Sequence, residues 1–88
     1  IEDVDSLLNA RLELIRQVRR SDYALYLEFA NRNIELARQH NINWGLVDIY
    51  MEMGAAFIEK GNYSIALDYL NQAYEYALKD EYRAYVGW

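Results

Sequence analysis

Few side chains in this sequence could carry chemistry. There is one His, His40, and no Cys among 88 residues. Neither a thiol nucleophile nor a His/Cys set for a transition metal can be assembled from them. No Gly-rich run ends in Lys, so there is no phosphate-cradling loop. What remains is a carboxylate series, Asp48, Glu52 and Glu59, spaced so that one face of a helix would present all three. Paired carboxylates act as acid and base only where their surroundings drive their pKa values apart. On a helix that is otherwise apolar, these three read as a solvated stripe. Arg16, Arg19 and Arg20 make a small basic cluster, read as complementing a helix C-terminus rather than holding an anion. His40 reads in the same way, as a surface residue near a helix end. The expectation is a non-enzyme that needs no cofactor and no metal.

The composition favours helix and a packed core. Nine Tyr, two Trp and two Phe accompany four Gly and no Pro, which is unlike a disordered tail. The net charge is −5, concentrated in the second half, and an acidic surface repels a phosphate backbone. Nucleic acid is therefore not an expected partner, and basic partners are weakly favoured. The apolar run Met53 to Ile58 is too short to span a bilayer, so no membrane insertion is expected. No secretory signal pattern is present. With Cys absent, a reducing, cytoplasmic setting fits. Opening on Ile1, the sequence reads as part of something longer.

Four helical segments would position these groups. Apolar residues recur at helical spacing from about Val4 to Arg20, then from Tyr23 to near His40 after a Ser21-Asp22 capping signal. A third segment, from Trp44 or Gly45 to about Lys60, is apolar almost all round and should have neighbours on several sides. Gly61-Asn62 marks a turn. The fourth segment, about Tyr63 to Lys79, has Tyr63, Ala66, Leu67, Leu70, Ala73, Tyr74 and Ala77 on its expected dry face. Residues 81–88 read as the start of a fifth helix.

The two halves overlay at an offset of 40, with Tyr23 on Tyr63, Leu27 on Leu67, Asn31 on Asn71, Glu35 on Glu75 and Ala37 on Ala77. Tyr50, Met53-Gly54, Phe57, Gly61-Asn62-Tyr63, Ala66, Leu70 and Ala73 combine size, order and spacing in a way that resembles a tetratricopeptide repeat. The first unit departs from that pattern, with Leu14 where the Gly belongs and Tyr26 where a small residue belongs. The longer period and the junction Glu35 to Gly45 resemble the variety found in bacterial signalling and regulatory proteins. The resemblance implies an all-α fold. It would have two stacked antiparallel helix-turn-helix repeats, about 4–43 and 44–80, plus a partial fifth helix, as a right-handed solenoid fragment within a single domain.

The resemblance also implies a protein- or peptide-binding scaffold in the regulatory part of a larger signalling protein. Its groove would be lined by Leu8, Arg11, Ile15 and Val18 from the first unit and Asp48, Met51, Ala55 and Ile58 from the second, with Arg19, Glu52 and Glu59 near its edge. Ile15 and Ala55 stand where carboxylate-clamp members place Asn, so that function is not expected. A self-associating array without a separate ligand, or a small-molecule pocket between repeats, is the alternative. A repeat cannot bury its apolar face alone. Tyr82, Tyr85, Val86 and Trp88 form an uncapped end, which predicts a homodimer or docking on further repeats.

Overall fold

The computed structural model describes the backbone of residues 4–86 and the side chains of residue 4 and residues 6–79. Over that span the chain is all-helical: α1 (Val4–Val18), α2 (Tyr23–Gln39), α3 (Asn43–Glu59) and α4 (Tyr63–Val86). No strand occurs among the described residues. Successive helices pack on one another, α3 against α4 most extensively, and α3 also meets α1.

The turns explain the even helix spacing. Helices α2, α3 and α4 begin at residues 23, 43 and 63. Asp22 caps α2, its side chain accepting from the Leu25 amide at 3.1 Å. The ends of α2 and α3 share one hydrogen-bond pattern. The Ile42 amide donates to the Ala37 carbonyl at 2.9 Å, and the Asn62 amide to the Phe57 carbonyl at 2.9 Å. Each turn passes through one left-handed residue, Asn41 with φ 55 and Gly61 with φ 80. Asn and Gly are the residues that visit that region most readily.

This pattern corrects the expected fifth helix. Twenty positions after Gly61 the sequence has Glu81, which has no such ease in the left-handed region. No turn forms there, and α4 continues through to Val86.

The core joins all four helices. Leu8, Leu12 and Ile15 of α1 meet Tyr26, Ala30, Ile34 and Ala37 of α2. Leu46, Ile49, Tyr50, Met53 and Ala56 of α3, and Ala73 of α4, complete it. Aromatic rings run through it in sequence: Tyr26 on Tyr23, Tyr23 edge-on to Phe57, Phe57 stacked on Tyr69, then Tyr69, Tyr50 and Tyr76. The polar tips of the two buried tyrosines find partners, as buried phenols generally must. The Tyr26 hydroxyl donates to the Glu52 carbonyl at 3.2 Å, and the Tyr50 hydroxyl accepts from Arg38 Nη2 at 2.8 Å.

Gly54 sets how closely α3 and α4 approach. A Cβ at this position would lie 2.6 Å from Leu70 Cδ2 and 2.7 Å from Leu70 Cγ. The seam uses Ala66, Leu70 and Ala73 as the sequence predicts. It does not use Tyr63, Leu67 or Tyr74, which are 68%, 59% and 64% exposed. Ala77 is half-buried as expected, but the dry face of α4 is rotated from the expected one toward the half-buried Tyr69 and Tyr76.

Candidate partner-binding surface

The charged residues read as a solvated stripe and a basic cluster instead pair with each other across α1 and α3. The Glu52 carboxylate accepts from Arg19 Nη1, and from Arg16 Nε at 3.3 Å. Glu59 accepts from Arg19 Nη2 at 2.8 Å and from Arg20 Nη2 at 3.3 Å. The Glu52 side chain is only 8% exposed and that of Arg19 17%, so the centre of this ladder is largely withdrawn from water. Burial by itself would depress the Arg19 guanidinium. The bonds and charge of Glu52, then of Glu59, outweigh burial and hold its pKa above the usual arginine value. The hydrogen bonds from Arg19, then Arg20, hold the Glu59 carboxyl below its ordinary range. Arg16 stands in the last turn of α1, with Arg19 and Arg20 just beyond it. The cluster ties the C-terminal end of α1 to α3.

Asp48, the third carboxylate, lies apart from these bonds. Burial raises its pKa above the usual carboxylate value, and the charge of Arg16 partly offsets this. Its environment and that of Glu59 pull in opposite directions. Glu59 is held low by its ion pairs with Arg19 and Arg20.

The expected groove residues separate into three groups. Leu8 and Ile15 are 2% and 1% exposed, because α1 turns that face onto α2 and α3, and they are part of the core. Val18 is half-buried against the same core. Arg11 lines a cleft of about 230 Å³ between α1 and α2, with Leu14, Ile15, Phe29 and Arg32. Arg32 is already paired there with Glu28 at 2.6 Å. The α3 residues do remain accessible: Met51 is 54% and Ile58 44% exposed, with Asp48 and Ala55 half-buried beside them. Tyr82, Tyr85, Val86 and Trp88 lie outside the residues whose side chains are described.

Sequence reasoning missed two features. The first is the α1–α2 cleft, foreshadowed by Leu14 standing forty positions before Gly54. The second is Asn33, 3% exposed, whose Nδ2 donates to the Leu8 carbonyl at 3.4 Å while its Oδ1 is buried without a partner. No helix among the described residues is long and apolar enough to cross a membrane. No group of three or more His, Cys, Asp or Glu side chains among them could hold a metal ion. No protein-family model, curated protein or solved structure matches this chain, so its assignment rests on the surfaces themselves.

Proposed function

We propose that the chain is a protein- or peptide-binding module built on helical hairpins, of the kind it resembles in sequence, and that it holds an apolar-faced segment of its partner along α3. One observation carries this reading: Met51 and Ile58 stand half exposed on one face of α3, separated by the small Ala55. Residues at this spacing form one continuous strip. Met is a soft, adaptable contact suited to accepting varied apolar side chains. The Arg16–Arg19–Glu52–Glu59 ladder lies on the same helix pair and holds the surface in place before a partner arrives, which lowers the ordering cost of binding. Covering the exposed halves of Met51 and Ile58 contributes about 1 kcal/mol each, enough for a modest, reversible interaction. The acidic chain favours basic residues flanking the partner's apolar ones.

The test is selection of peptides from a displayed library on the immobilised 88-residue chain, followed by isothermal titration of the winners. Peptides with paired apolar residues are expected to bind the native chain and to lose affinity at least about tenfold against Met51→Glu. Peptides that bind Met51→Glu and Ile58→Glu as well as the native chain would place the binding elsewhere and overturn this reading.

A further inference from the structure

The outward face of α4 carries an apolar stripe independent of the α3 surface. Tyr63, Leu67, Tyr74 and Leu78 are 68%, 59%, 64% and 43% exposed. An α-helix turns about 100° per residue, so these four side chains leave α4 within about 60° of one another. The stripe is roughly 22 Å long at 1.5 Å rise per residue. At these exposures it offers about 500 Å² of accessible side-chain surface, at the upper end of what a monomer ordinarily leaves uncovered. The fold covers the corresponding face of α2: Tyr23, Leu27 and Ile34, forty positions earlier, all pack against the core.

The spacing of the stripe says what can cover it. The intervals from Tyr63 to Leu67, Tyr74 and Leu78 run four, seven and four residues, a series that reads the same in either direction. Two copies of α4 laid antiparallel about a two-fold axis between residues 70 and 71 set Tyr63 against the partner copy's Leu78 position and Leu67 against its Tyr74 position. Every Tyr then meets a Leu. An isologous interface requires this self-complementarity. Covering both stripes buries about 1,000 Å² in total, the size at which a specific interface becomes stable. From these features we infer that the chain forms a two-fold dimer through α4, with a second copy of itself as the occupant of this face.

The register has two further consequences. Asn71, exposed beside the stripe, falls next to the two-fold axis and so near its own copy. Asp68 comes within about 3 Å, along the helix axis, of the level of the other copy's Glu75 position at the rim, and both copies carry −5. Added salt therefore strengthens the association instead of weakening it.

Because the chain has no Cys, single cysteines report the register directly. Sedimentation equilibrium of the native chain at about 100 μM should show a dimer. Leu67→Glu, at a position exposed in the monomer, should keep full helicity and weaken association about 100-fold. Under mild oxidation Asn71→Cys should cross-link to itself. An equal mixture of Leu67→Cys and Tyr74→Cys should give the mixed disulfide. Ile65→Cys, also exposed but turned away from the stripe, should dimerise like the native chain yet not cross-link. A native chain that remains monomeric at that concentration would overturn the inference and leave the face to a further helical hairpin. A dimer indifferent to Leu67→Glu, or one cross-linked as readily through Ile65→Cys as through Asn71→Cys, would overturn it too.

Discussion

Gly54→Ala isolates the contact that closes α3 on α4. In an exposed helix interior this change would stabilise the protein by about 1 kcal/mol, because Gly is the poorer helix former. Here the added methyl carbon would lie 2.6 and 2.7 Å from Leu70 Cδ2 and Cγ, about 1 Å inside an ordinary carbon–carbon contact. Rotating the end of Leu70 does not relieve the 2.7 Å approach to its Cγ, so the helices must part or Leu70 must leave the seam. Either movement disturbs the Phe57–Tyr69 and Tyr50–Tyr76 stacks that span the same seam. Overpacking of this kind costs about 1–3 kcal/mol. Set against the helix gain, the net loss is about 1 kcal/mol, or roughly 4–8 °C in Tm for a chain of this size. Thermal and urea unfolding followed by circular dichroism would measure it. The same change made in a Leu70→Ala background, where the clashing atoms are gone, should stabilise instead. If Gly54→Ala raised Tm in the native background, or if its sign did not reverse with Leu70→Ala, the close approach would not be what Gly54 provides.

Glu52→Gln removes the charge that Arg16 and Arg19 share while keeping the shape, and leaves Arg19, only 17% exposed, with Glu59 alone. A loss of about 1–3 kcal/mol is expected, read as a lower urea midpoint with an unchanged slope. Asp48→Asn should raise stability at neutral pH. The folded pKa of Asp48 lies above its unfolded value, so its charge penalises folding above the folded pKa, and the penalty fades as pH falls through the unfolded value. The Tm gain of Asp48→Asn should therefore shrink toward zero in acid, and a gain that grows in acid would contradict the burial argument. Glu59 has the opposite sign. Its lowered folded pKa supports the fold above its unfolded value and is lost as pH drops through the folded one, so Glu59→Gln should lower Tm at neutral pH and matter little in acid.

The sequence by itself determined the four helices, because apolar residues at helical spacing, with Gly61 and Asn41 at the turns, leave the backbone few other choices. It also excluded thiol chemistry and His/Cys metal sites, since the residue types are missing. It could not say which part of α4 would be buried. Tyr63, Leu67 and Tyr74 form one apolar arc with Ala66, Leu70 and Ala73, and periodicity measures only the arc. The position of α3, drawn close at Gly54 and Leu70, chose the small residues for the seam and turned the tyrosines outward. The fate of Glu52 was hidden for a related reason. Its arginine partners lie 33 and 36 residues away, and no local pattern records a pairing over that distance. Only the packing of α1 on α3 brings the charges together, making an inter-helix tie out of what the sequence presents as a wet stripe.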